Sequence, residues 1–360
     1  MISRNTAFTY KNKAVDAKEI GRELGVRYVL EGSVQRSRDQ LRVNTQLIDA
    51  ETDTHLWAER FDRATGDLLA LQNEITTRIA RALRVELVRA EAARPTEQPD
   101  ALDYVLRGRA LAVGKRPSRE VYAERIEMFE RALMIDPRSV AAQSWLAVTL
   151  ASRVLDQLSE SPTSDIARAE KLIEQALATS PRSANVHFAK GQLLRAQGRC
   201  DEAIPEYETA IAIIPNVGTI AALGECKFYT GSIEDMIPLQ ERAIRLSPRD
   251  PFIGNWYLRI GVAHLLQSRT EEAIPWFEKA RSANPGRAPP HAYLASAYAL
   301  KEELERSVTE LAEARKLSSD NRYSSIANLK ASQSWGVPKI RALFENTYFA
   351  GLRKAGTPEE

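Results

Sequence analysis

Cysteine is almost absent from the chain, with two residues in 360, Cys200 and Cys226. That excludes a disulfide-stapled secreted fold. Both fall inside predicted helices, which points to buried free thiols in a reducing compartment. Histidine is scarce too, with four residues. His187, His264 and His291 have no second ligand at i+3 or i+4 and no CxxC accompanies them, so no metal site is expected. No apolar run reaches the ~18 residues of a membrane span. The opening MISRNTAFTYKNK lacks the apolar core of a secretory signal. Nor does one sign of charge dominate. Fifty Lys and Arg face 48 Asp and Glu, a net charge of +2, which leaves no electrostatic footprint for nucleic acid or an anionic membrane. What remains, 44% hydrophobic and 27% charged residues, is the composition of a globular protein, which we expect to be cytoplasmic.

The most informative feature present is self-similarity. Ala132, Ala176, Ala210, Ala243, Ala280 and Ala314 are spaced 44, 34, 33, 37 and 34 residues apart. Five residues after each stand Pro137, Pro181, Pro215, Pro248, Pro285 and finally Ser319; three before each stand Phe129, Ile173, Tyr207, Gln240, Phe277 and Leu311. A small residue, Gly191, Gly224, Gly261 or Ala295, precedes each of the last four alanines by 19. Each position has a physical job. The small residues let two helices approach, the larger side chain fills the gap between them, and the proline ends the second helix. DEAIPEYETA, EDMIPLQERA and EEAIPWFEKA are near copies, and their prolines, Pro205, Pro238 and Pro275, are expected in the first turn or so of the second helix, where a missing donor costs little. A period of ~34 is the tetratricopeptide length. Six units over residues 101–320 resemble that family, the first two more loosely because of insertions around KRPSRE and LDQLSESPTSD. After them, VPKIRALFENTYFAGLRKAG carries Ile340, Leu343, Phe344, Tyr348 and Leu352 at helical spacing and then Gly356. Residues 321–360 are therefore expected to form C-terminal capping helices and a tail.

Residues 1–93 follow a different grammar. VDAKEIGRELG reads as a short helix stopped by Gly25. RYVLEGSVQRS, QLRVNTQLIDA and THLWAERFD read as three antiparallel strands. In the second, Leu41, Val43, Thr45 and Leu47 alternate with polar residues. Leu68, Leu71, Ile75, Ile79 and Leu83 stripe a long helix, and RPTEQPD, residues 94–100, is the linker. The expected fold class is thus mainly α: a tetratricopeptide solenoid of about six helix pairs plus a C-terminal cap, preceded by a small α+β domain.

KAVDAKEIGRELGVRYVLEGSVQRS, QLIDAETDTHLWAERFD and LQNEITTRIA resemble the TolB-N-like domain of bacterial signalling proteins. The resemblance implies a setting. Such domains often precede tetratricopeptide repeats and follow a class III adenylate or guanylate cyclase domain, or in other proteins a winged-helix DNA-binding domain. The ending TYFAGLRKAGTPEE resembles the cyclase-linked branch. Members begin with a strand, a helix and a second strand, and MISRNTAF matches only the end of that second strand. An N-terminally truncated domain with an exposed sheet edge is therefore expected.

Chemistry is sparse. No phosphate-cradling GxxxxGK[ST] or GxGxxG occurs, and the cyclase catalytic residues have no counterpart here. We therefore expect no catalytic residues and no cofactor. His187 and His291 share one repeat position, and His264 lies beside the Gly261 slot, so all three are read as structural. Neither cysteine has a local basic or histidine partner that would support a catalytic role. The pairs Asp201–Glu202, Glu234–Asp235 and Glu271–Glu272 recur where negative charge complements a helix N-terminus. Arg36, Arg38 and Arg42 read as a solvated hairpin tip. What remains is the concave face that first helices line in such stacks, where an extended peptide or a partner's helix would lie. The register puts Asn185, Phe188, Gln192 and Arg195 of unit three on it, with Phe228 of unit four and Asn255, Leu258 and Val262 of unit five. The expected role is a non-catalytic regulatory and protein-interaction region of a cyclase-type protein. The alternatives are the sensor half of a winged-helix regulator and a free-standing scaffold.

Overall fold

The computed structural model describes residues 10, 15–37, 40–64, 68–94, 99–114, 117–248, 250, 252–318, 320–332 and 335–360. The expected strand at the start of the chain, and most of the linker, lie outside these. The chain divides into two compact units, Met1–Val113 and Gly114–Glu360.

In the first unit, α1 (Ala17–Leu24) starts where Asp16 accepts a hydrogen bond from the Glu19 N–H and stops at Gly25, whose φ is 60°. Then β1 (Tyr28–Ser37), β2 (Gln40–Asp49) and β3 (Thr54–Ala64) form an antiparallel meander in that order. Val34 pairs with Val43 and Val43 with Phe61, and an irregularity follows Leu47. The expected alternation holds in β2, where Val43, Thr45 and Leu47 are buried. The long helix α2 (Leu68–Ala93) supplies Ile75, which packs on Val43 and Phe61. Arg78 of α2 stands 4.7 Å over the Phe61 ring and pairs with Glu59. Among the described residues β1 and β3 are the outer strands of the sheet, and Leu30 and Val34 of β1 are 46% and 68% exposed. Arg42 of the hairpin pairs with Asp62 of β3 at 2.7 Å. Arg38 lies outside the described residues.

Helix α3 (Ala101–Gly114) closes this unit. Its sequence lies within the expected repeat region, and α4 (Arg119–Ile135) belongs to the second unit and packs on the next helix.

The second unit is a solenoid of helix hairpins: α5 (Val140–Leu155) with α6 (Pro162–Thr179), α7 (Ala184–Ala196) with α8 (Cys200–Ile213), α9 (Val217–Tyr229) with α10 (Ile233–Leu246), α11 (Ile253–Leu266) with α12 (Thr270–Ala283), and α13 (Ala288–Leu300) with α14 (Leu304–Leu317). The repeat positions do what their chemistry suggests. Ala132, Ala176, Ala243, Ala280 and Ala314 are fully buried and Ala210 nearly so. A Cβ on Gly191 would lie 2.5 Å from the Tyr207 ring, and one on Gly261 2.6 Å from Phe277. In unit four the filler is Gln240, fully buried, which donates to the Ala221 carbonyl at 3.0 Å. His187 and His291 make the same two contacts 104 residues apart. Each meets a glutamate of its second helix, Glu206 at 2.7 Å or Glu310 at 2.6 Å, and a proline carbonyl in the preceding turn.

Two local details differ from expectation or extend it. Pro205, Pro238 and Pro275 are the sixth residues of their helices rather than first-turn residues. Each therefore deletes one intrahelical bond, tolerated because all three are exposed and the orphaned carbonyl can meet water. The turn from first to second helix always contains a left-handed residue: Gln157, Gly198, Gly231, Ser268 and Glu302, with φ of 59°, 75°, 100°, 59° and 64°. The N–H one residue later reaches back to the first helix, as Arg199 does to Leu194 at 2.8 Å and Glu303 to Tyr298 at 2.9 Å.

Candidate ligand groove

In such stacks the first helices, here α5, α7, α9, α11 and α13, are the ones that line the inner face. Along α7, Asn185, Phe188, Gln192 and Arg195 share one face and all are half-buried. Phe188 bridges units, with its ring 6.4 Å from Trp145 of α5 and 6.2 Å from Tyr207 of α8. Gln192 accepts hydrogen bonds from the Tyr207 hydroxyl (2.8 Å) and from Arg195 (3.2 Å).

Arg195 begins a charged ladder across three helices. Its Nη2 lies 2.7 Å from Glu225 of α9, whose other oxygen lies 3.5 Å from Nε of Arg259 on α11. Arg259 donates to the Tyr229 hydroxyl at 3.2 Å, with its guanidinium 5.5 Å from that ring. Burial works against ionisation of Glu225, but Arg195 and Arg259 outweigh it and hold the carboxyl below its ordinary range. Burial also opposes the charge on both arginines, and Glu225 together with nearby tyrosines keeps them protonated. Two guanidinium groups around one carboxylate leave this strip with excess positive charge. Asn255 of α11 accepts from Arg287. Glu225, Tyr229 and Arg259 escaped the sequence reading, although a signal existed for the first. Glu225 follows the Gly224 slot as Gln192 follows Gly191 and Val262 follows Gly261.

Beyond unit three the register is partly closed. Phe228 and Val262 are fully buried and do not present themselves to a ligand, whereas Leu258 is half-buried against the same core. The C-terminal segment covers them. After α15 (Ile326–Ala331) comes one continuous helix: α16 (Pro338–Phe344), a π-turn (Glu345–Phe349) and α17 (Ala350–Lys354). Phe344 meets the edge of Phe228 at 6.2 Å, and Tyr348 stacks on Tyr293 of α13 at 4.2 Å. Ser296 donates to the Tyr348 carbonyl at 2.9 Å, and Val337 N–H reaches the Tyr229 carbonyl at 3.3 Å. Even the turn of unit two is touched: Arg322 donates to Gln157 at 3.1 Å, and Gln157 donates to the Ser332 carbonyl at 2.5 Å. The predicted cap is real. It closes not only the end of the stack but also the inner face of units four to six.

The π-turn explains why the apolar pattern ran so evenly. Ile340, Phe344, Tyr348 and Leu352 are spaced by four, which on a 3.6-residue helix drifts about 40° per step. The wider π-turn cancels part of that drift, leaving all four, and Phe349 as well, at most 2% exposed.

Among the described residues no cluster of three or more His, Cys, Asp or Glu is arranged to hold a metal, and no helix is long and apolar enough to cross a membrane. His264 stands 3.2 Å from Glu272, and burial lowers its pKa.

Residues 163–217 and 237–288 match the family model of the tetratricopeptide repeat. A curated relative, the "Putative adenylate cyclase 3" of Rhizobium meliloti (strain 1021), is 37% identical over 207 residues, 56% of this chain and 35% of that protein. The chain thus spans about a third of the length of the relative it matches. Among solved structures, the APC/C hetero-tetramer Cut9-Hcn1 is similar with a TM-score of 0.53 at 15% identity, over 65% of this chain and 43% of that one. YrrB, described as a TPR protein with an unusual peptide-binding site, gives a TM-score of 0.40 at 20% identity, over 57% of this chain and 98% of that one. The helical part of this chain is a tetratricopeptide-repeat solenoid, preceded by a small three-stranded antiparallel sheet.

Proposed function

We propose that the chain is a non-catalytic regulatory and protein-interaction region of a bacterial adenylate or guanylate cyclase-type signalling protein, working in the cytoplasm. In this reading residues 1–93 act as a TolB-N-like domain, 94–100 as a linker, 101–320 as the repeats and 321–360 as the cap. A peptide or partner protein binds the part of the inner face that the C-terminal helix leaves uncovered, centred on Asn185 and Phe188. The observation that carries the proposal is the 37% identity over 207 residues to a cyclase-named protein, in a chain whose fold is built from interaction repeats.

The test is a chimera. The catalytic region of the Rhizobium relative is joined to this chain in place of its own matching segment, and cyclic-nucleotide output is compared with that of the isolated catalytic region. A several-fold difference is expected, reduced by Phe188→Ala. Equal output from a chimera of native helical content would refute the proposal. Arg195 is a poor choice for this test because it is committed to Glu225.

A further inference from the structure

The two cysteines, 26 residues apart in sequence, meet in the core between units three and four. Cys200 is the first residue of α8 and Cys226 lies near the end of α9. Their sulfurs are 2.9 Å apart, and both are reduced. A disulfide needs about 2.05 Å, so less than about 1 Å of approach separates the present state from a bond. The surroundings differ at the two ends of the pair. Cys226 is fully buried, whereas Cys200 retains 7% exposure and follows the exposed turn Gly198–Arg199. Cys226 donates its S–H to Cys200. That hydrogen bond, helped by the Arg195 charge and opposed by burial, holds the Cys200 thiol below its ordinary range, while the same bond and burial push Cys226 up. One sulfur is thus prepared to attack and the other to resolve.

We infer that Cys200 and Cys226 are a reversible redox modification site, in which a peroxide converts the thiol pair into an intrachain disulfide across the joint of units three and four. The chemistry balances with hydrogen peroxide as the oxidant. The Cys200 thiolate attacks one peroxide oxygen, the O–O bond breaks, and with one proton a water leaves, so Cys200 becomes a sulfenic acid. Cys226 then attacks the Cys200 sulfur, the S–O bond breaks, and a second water leaves. Two thiols and one peroxide give one disulfide and two waters, and an external dithiol reverses the change. The bond would tie the start of α8 to α9, next to Glu225 and hence to the Arg195–Glu225 pair of the groove. The site stands whether or not the chain serves a cyclase.

The experiment uses the full chain, stoichiometric hydrogen peroxide and alkylation after denaturation. Both thiols should become protected together, a non-reducing digest should join the two cysteine peptides of one chain, and dithiothreitol should restore them. The midpoint of unfolding should rise by about 5–10 °C on oxidation. In Cys226→Ser, Cys200 should persist as a sulfenic acid that dimedone traps. In Cys200→Ser, Cys226 should react at least about tenfold more slowly. Over-oxidation of Cys200 to sulfinic acid with Cys226 still alkylatable would overturn the proposal, as would disulfides found only between chains. The wild-type measurement decides the matter even where a serine variant fails to fold.

Discussion

The inner face of unit three and that of units four and five are built on one register, yet they meet different fates. In unit three the face is polar and half-open: Asn185, Gln192 and Arg195 surround a single ring, Phe188. In units four and five the equivalent surface carries Phe228, Leu258 and Val262, and the chain's own C-terminal helix lies on it. An apolar surface cannot stay in water at ~25 cal/mol per Å², so Phe228 and Val262 lie under a cover, while Glu225 and Arg259 on the same helices pair with their neighbours. Repeat register fixes where a side chain points. What then meets it depends on residues far away in sequence.

The largest expected effect breaks the covered half. Phe344→Ala should destabilise the second compact unit by about 3–5 kcal/mol, because the ring is almost completely buried among Phe228, Trp335 and Phe349. Phe188→Ala, from the half-open side, should cost clearly less. Urea unfolding of the two variants compares the halves directly, and equal losses would mean that the two faces do not differ. Next comes the ladder that joins them. Glu225→Ala leaves Arg195 and Arg259 without their shared carboxylate and should cost about 3 kcal/mol. Its partner changes should be non-additive with it in a double-mutant cycle.

The same carboxylate sharpens the comparison through pH. Its folded pKa lies below the ordinary 4.5, so its contribution is fully present above that value and is lost as pH falls through the lower folded value. Acid titration of stability should therefore be shallower below about pH 4.5 in Glu225→Gln than in the wild type. A superimposable acid limb would remove the electrostatic argument. The smallest effect lies in the turns, which both halves share. Glu302 holds φ at 64° without being glycine, so Glu302→Gly should stabilise by roughly 0.5 kcal/mol in thermal unfolding, whereas Gly231→Ala should destabilise.

Much of the fold was legible because repeat chemistry is local. The Gly191–Tyr207 and Gly261–Phe277 contacts, the buried alanines, the helix-ending prolines, the β2 alternation and the Gly25 stop each follow from a few neighbouring residues. The groove was legible only in part. The register puts Asn185, Phe188, Gln192 and Arg195 on one half-buried face of α7, but it could not tell that Phe228 and Val262 would be buried. An amphipathic pattern over 340–352 shows that a helix has an apolar face without showing which surface accepts it. The ladder through Glu225 and Arg259 was hidden because its members lie on three helices. The proline depth was misjudged for a smaller reason. The second helices begin five residues before Pro205, Pro238 and Pro275, so the lost donor falls inside the hydrogen-bonded ladder.

The returning C-terminal segment also works as a ruler. It holds Tyr229 of unit four through Val337, Tyr293 of unit six through Tyr348, and the unit-two turn at Gln157 through Arg322 and Ser332. Those anchor points are separated by whole repeats. Inserting or deleting a hairpin between them would move one partner of each contact by a full unit and leave the segment too short or too long. Repeat arrays commonly drift in copy number through duplication. Here the stretch from unit two to unit six is held to a fixed count by a strap that spans it.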